Sequence, residues 1–208
     1  MKWTILFVLV FVLSAPLCAQ HRPDWLWARR GGGTGDDNGG SVATDADGNI
    51  YVSGIFEGEA SFGTTTLTSM GNKDTYIAKL DGDGNWLWAA QAGGAQQVYG
   101  VDIDVDQYGV YVIGNYRGEA VFGSITITSA GLDDVFIAKL DLDGNFIWAV
   151  SCGGTDYDWI SAIKSDNIGN VLVTGFFNGT AQFSNIFLTS EGDRDSFFAK
   201  LDFLGDWV

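Results

Sequence analysis

Residues 81–94 read DGDGNWLWAAQAGG, and residues 141–154 read DLDGNFIWAVSCGG. Self-similarity at a fixed spacing constrains a chain more than any single motif, because the same local physics must then build the same unit each time. Three copies align along the chain. Trp27, Trp88 and Trp148 are 61 and 60 residues apart, Gly54, Gly114 and Gly175 are 60 and 61 apart, and Lys79, Lys139 and Lys200 keep the same register.

Each copy runs through the same events. A Gly-Gly pair (Gly32-Gly33, Gly93-Gly94, Gly153-Gly154) leads to an alternating stretch ending at Asp45, Asp106 or Asp166, then a turn with Gly48, Gly109 or Gly169. An apolar strand follows, IYVSG at 50–54, VYVIG at 110–114 and VLVTG at 171–175, and then a Gly-x-Ala-x-Phe element starting at Gly58, Gly118 or Gly179. A Thr-rich strand, the words YIAKLD, FIAKLD or FFAKLD, a tight turn and a Trp-bearing strand complete the copy. Period-two alternation, 29 glycines, 29 aromatic residues, only 2 prolines and repeated DG or GN turns favour short antiparallel strands, roughly four or five to a unit. Such a small sheet cannot bury both faces alone, so neighbours must stack, and sixty residues is the size of a propeller blade. The predicted fold is all-β: a β-propeller of three blades, in repeats at about 27–87, 88–147 and 148–208.

The pattern GG…D…D-x-x-GN-x-YV-x-G…G-x-x-D-x-F-x-AKLD-x-x-GN…W, carried across nearly all of the chain after its first segment, resembles the bacterial SBBP β-propeller repeat family. The resemblance implies a propeller in a secreted or surface-attached protein and no single activity. The second copy departs from the pattern at Gln107-Tyr108-Gly109-Val110, where a turn residue is missing, and the third has Leu172 where the others have Tyr51 and Tyr111.

The ends read differently from the middle. Lys2, the apolar run Trp3 to Leu13 and Leu17-Cys18-Ala19 have the form of a signal peptide over 1–19, which leaves 20–208 as the repeat region. DWLWA at 24–28 matches the outer strand NWLWA at 85–89, and DFLGDWV at 202–208 matches the start of that strand. Three blades are fewer than the four to eight that close a ring. The expectation is therefore an incomplete ring, truncated at its C-terminus, with further blades of a longer chain as its natural neighbours.

A net charge of −15 disfavours nucleic acid and anionic lipid as partners, and no segment after the first could span a bilayer. Once Cys18 leaves with the signal, Cys152 stands alone and aligns with Gly31 and Ala92, which predicts a packed small residue. The only histidine, His21, sits beside the cleavage site, so the repeats hold no His-based triad or histidine metal cluster.

Four sets of residues are candidates for chemistry or contact. Asp81-Gly82-Asp83-Gly84-Asn85 and Asp141-Leu142-Asp143-Gly144-Asn145 place oxygen ligands at alternate positions, as calcium would want; turn formation explains the same residues, and no glutamate follows as in an EF-hand loop. The weak calcium site is thus Asp81, Asp83, Asn85, Asp141, Asp143 and Asn145. Each repeated lysine follows an aspartate (Asp74, Asp134, Asp195) by five residues, which predicts ion pairs within or between blades. Trp27, Trp88 and Trp148, with Trp25, Trp86 and Phe146 two residues earlier, are expected to share one face and pack between blades. Function belongs where the copies differ, since blade packing does not explain those residues: the loops TGDDNGG at 34–40, AQQVYG at 95–100 and TDYDWI at 155–160. Asp156, Tyr157, Asp158 and Trp159 are the candidate ligand contacts.

The sequence thus points to a secreted or cell-surface binding or scaffolding module for protein or glycan, without a catalytic residue or an established cofactor. The alternative is the propeller portion of an extracellular carbohydrate-active enzyme or metal-dependent hydrolase.

Overall fold

Alternating β-branched and aromatic residues become strands throughout, separated by the Asp-Gly and Asn-containing turns. The structure, a computed structural model, describes residues 24–208, and among them it has 18 strands and no helix. The predicted signal peptide and His21 lie outside the described residues.

The order opens with β1 (Gly32–Gly33). The first unit continues with β2 (Asn38–Thr44), β3 (Ile50–Phe56), β4 (Glu59–Phe62), β5 (Thr65–Thr68), β6 (Asp74–Leu80) and β7 (Trp86–Gly93). The second has β8 (Val98–Asp106), β9 (Gly109–Tyr116), β10 (Glu119–Phe122), β11 (Ile125–Thr128), β12 (Asp134–Leu140) and β13 (Phe146–Gly154). The third has β14 (Trp159–Ser165), β15 (Val171–Phe177), β16 (Thr180–Phe183), β17 (Ile186–Thr189) and β18 (Asp195–Leu201).

Each unit is divided between two sheets. β2-β3-β6-β7 form one antiparallel blade and β8-β9-β12-β13 the next, while β14-β15-β18 form the third, extended by a bridge from Leu201 to Trp207. The short hairpin between the second and third strands of each blade leaves its own sheet and pairs with the outer strand before it: β10 with β7, β16 with β13 and β4 with β1. The Gly-Gly word permits this crossing. A side chain at Gly33, Gly94 or Gly154 would overlap the carbonyl of Glu59, Glu119 or Thr180 on the approaching hairpin.

Blades stack face to face, as the period-two alternation requires. Tyr51 and Ile77 of blade 1 join Ile103, Val105, Val110 and Val112 of blade 2 in one core; Tyr111, Ile113, Val135 and Ile137 of blade 2 join Ile160, Ile163, Val171 and Val173 of blade 3 in another. Blade 2 is covered on both sides, so every residue of β9 and β12 is buried, whereas β15 of blade 3 alternates buried with more accessible positions. The stack is an open one, and Val42 of blade 1 and Phe198 of blade 3 are exposed where Ile103 and Ile137 of blade 2 are buried. On the innermost strands one carboxylate ties three blades together: Asp102 accepts from the Ser41 hydroxyl at 2.6 Å and from the Ile163 backbone N–H at 3.1 Å.

Trp27, Trp88 and Trp148 reach the neighbouring blade, but the predicted shared face does not hold, and Trp25 is 94% exposed rather than packed. A β-bulge at Lys79/Leu80, repeated at Lys139/Leu140, shifts the register against the outer strand. Trp86 therefore turns back onto Phe62 of the hairpin, and Phe146 and Trp207 pack likewise on Phe122 and Phe183. Trp27, Trp88 and Trp148 reach forward instead, with each indole N–H donating to the turn of the next blade, at Gly82, Leu142 and Phe203. Cys152 is buried at the junction of blades 2 and 3, where burial pushes its thiol pKa well up.

Candidate binding site between the second and third blades

The loops that differ between copies emerge at one end of the stack. Two of them, together with the ends of β9 and the residue preceding β12, enclose a cavity of about 380 Å³ lined by Gln96, Gln97, Tyr99, Asn115, Tyr116, Arg117, Asp133 and Trp159. A second, more apolar hollow of about 280 Å³ adjoins it, lined by Asn38 to Gly40, Gly54, Ile55, Tyr99 to Val101 and Trp159. Tyr99 and Trp159 line both hollows. All three divergent loops thus contribute to one surface.

Trp159 is held in place from below. Asn115, 1% exposed, donates to the Asp158 carbonyl at 2.8 Å and accepts from the Ile160 N–H at 3.5 Å, so the residues on either side of Trp159 are fastened to blade 2. Asp158 is not a contact residue: its carboxylate is buried and accepts from the N–H groups of Gly154 at 2.6 Å and Asn178 at 3.2 Å, closing the loop from within. Tyr157 is half exposed, with the Arg117 guanidinium 5.6 Å from its ring centroid. Arg117 in turn donates to Asp133 at 2.8 Å. Asp156 is exposed and lies toward Gly179 rather than in the cavity lining. Of the four predicted contacts, the structure brings Trp159 into the cavity and Tyr157 to its rim.

Beneath the loops lies a pair of buried acids. Asp134 and Asp158 flank Gly153, at 2% and 1% exposure, and one Asp134 oxygen has no hydrogen-bond partner. Burial, with the Asp158 charge adding to it, pushes the Asp134 carboxyl up to about 6, and burial raises Asp158 as well.

The calcium candidates lie in turns. Asp81 accepts from the backbone N–H of Asp83 and of Asn85 and from the Asn85 amide, and Asp141 repeats the arrangement with Asp143 and Asn145. These carboxylates are occupied in closing turns. Among the described residues no group of three or more His, Cys, Asp or Glu side chains is gathered as a metal would need. Nor do the lysines pair with the aspartates five residues before them. Asp74, Asp134 and Asp195 instead accept from the N–H of Met70, Ala130 and Glu191, capping the preceding turn. Lys79 and Lys139 lie over the rings of Tyr51 and Tyr111, at 5.0 and 5.1 Å. The third copy has Leu172 in place of that tyrosine, and its Lys200 pairs with Asp166 at 3.2 Å.

No family model matches the chain. It is similar to an uncharacterized WD repeat-containing protein of Acanthamoeba polyphaga mimivirus, 26% identical over 193 residues that cover 77% of this chain and 14% of that protein. It is also similar to the regulatory protein FlaEY of Caulobacter vibrioides, 25% identical over 172 residues that cover 79% of this chain and 18% of that protein. The chain therefore spans under a fifth of the length of these relatives. Strand order, blade stacking and the WD-repeat likeness agree on a repeat protein of propeller type.

Proposed function

We propose that the chain is a propeller-type interaction module of a secreted or cell-surface protein, which holds a protein or glycan partner against the cleft between blades 2 and 3. One observation carries the reading: the residues that differ between otherwise repeated copies converge on a single concave surface around Tyr99 and Trp159. The WD-repeat name of one relative supports an interaction role, and the resemblance to SBBP repeats, with the apolar segment at 3–13, supports the extracellular setting. The test is retention of extracellular and envelope extract from the producing organism on the immobilised chain. Trp159→Ala and Tyr99→Ala should each lower retention of the partner roughly tenfold, while Leu87→Ser and Ile147→Ser, exposed on the outer strands, should leave it unchanged. Equal retention by all four variants contradicts the reading.

A further inference from the structure

We infer that the cleft between blades 2 and 3 is a binding site for a neutral saccharide, an inference that rests on the cleft being the contact surface. Its walls are amphipathic in the way a sugar ring is. Trp159, 39% exposed, and Tyr99 present aromatic surface shared between a polar hollow and an apolar one, where the C–H face of a pyranose could lie. Around the polar hollow stand the exposed Gln96 and Gln97 with Tyr99 and Trp159, whose side-chain amides, hydroxyl and indole N–H make no hydrogen bond among the described residues. An amide both donates and accepts, which matches hydroxyl groups that do the same. A cavity of about 380 Å³ suits a small ligand of one or two rings.

Charge decides between sugar classes. The cation in the cavity lining, Arg117, is already matched with Asp133, and nearby Lys73 with Asp36, so the cavity lining itself offers no unmatched positive charge to a carboxylate or sulfate; Arg194 at the same end lies over the Phe176 ring, outside that lining. The chain as a whole carries −15, which repels polyanions. Asn115 acts as a positioning residue, since it fastens both neighbours of Trp159 and spends its amide in doing so.

The experiment titrates the full chain with a panel of neutral oligosaccharides (gluco-, manno-, xylo- and galacto-tetraoses) and of uronic-acid and sulfated tetraoses, followed by tryptophan fluorescence and by amide shifts of residues 95–100 and 155–160. The expected result is saturable binding of at least one neutral member, weakened roughly tenfold by Trp159→Ala and severalfold by Gln97→Ala, a surface change that leaves the blades intact. In parallel, extract treated with periodate, which cleaves vicinal diols, should lose retention, and protease-treated extract should keep it. Binding confined to the acidic members, binding of no member, or a retained partner that is protease-sensitive and periodate-resistant overturns the saccharide assignment while leaving the interaction module standing. Retention that Trp159→Ala does not alter removes the contact surface itself.

Discussion

Asp134 and Asp158 show how a junction between blades constrains single side chains. Two carboxyls placed beside Gly153 out of contact with water favour the protonated form, and the raised pKa of Asp134 makes folding proton-linked. The sign follows from the shift: a folded-state value of about 6 against 3.8 means that the folded state holds its proton longer than the unfolded chain. Protonation of this group favours folding below about pH 4, and that contribution is lost as pH rises through 6, on the order of 3 kcal/mol in all. Asp134→Asn keeps an acceptor for the Ala130 N–H and removes the charge. Its melting temperature at pH 7 should exceed that of the parent, and thermal scans between pH 4 and 7 should show a flatter profile; an unchanged profile would assign the linkage elsewhere. Cys152 fits the same picture, a buried thiol whose reaction with a thiol reagent should wait for unfolding.

Strands make the contrast between covered and uncovered faces measurable. Ile137 on β12 is fully buried between blades, whereas Phe198, its counterpart on β18, is 81% exposed. Ile137→Ala should cost about 2–5 kcal/mol in denaturant unfolding, and Phe198→Ala should stay within about 0.5 kcal/mol. Similar losses at both would deny the stacking. The hairpins offer a second case: Gly63 and Gly123 adopt φ of 64° and 61°, and the third copy places Ser184 at 55° in the same turn. Ser184→Gly should stabilise by about 1 kcal/mol, raising the melting temperature by roughly 2–4 °C. At this scale the sequence was legible where period and turn chemistry act locally. Strands, the Asp-Gly-Asn turns and the blade period follow from alternation and from residues that tolerate positive φ. The hairpin that joins the neighbouring sheet was hidden because the Gly-Gly pair reads as a turn, while its role is to admit the backbone of a hairpin from further along the chain, Glu59 at Gly33, Glu119 at Gly94 and Thr180 at Gly154. The bulge at Lys79/Leu80 was hidden too, and it reverses the alternation that placed Trp86 and Trp88 together.

At the scale of the molecule, radial stacking turns separate loops into one surface. The candidate cleft was partly visible, since the loops at 95–100 and 155–160 differ between copies; Asn115, Arg117 and Asp133 escaped notice because they sit at repeated strand ends. Their signal was present as departures from the repeat, where Asn115 replaces Ile55 and Phe176, Arg117 replaces Glu57 and Asn178, and Asp133 replaces Lys73 and Arg194. What alignment cannot supply is which ends meet, because that depends on the face each blade turns to the next. Everything proposed for the cleft depends on blade 1 leaning on blade 2 and blade 2 on blade 3. The most direct test is the proton NMR shift of the Gly144 and Gly205 Hα atoms. Gly144 lies against Trp88 of blade 1 and Gly205 against Trp148 of blade 2, while Gly84 lies against Trp27, which precedes the first blade. Stacked blades predict upfield ring-current shifts at Gly144 and Gly205 and the selective loss of the Gly144 shift in Trp88→Ala; ordinary shifts at both glycines in the folded parent chain would contradict the stacking itself.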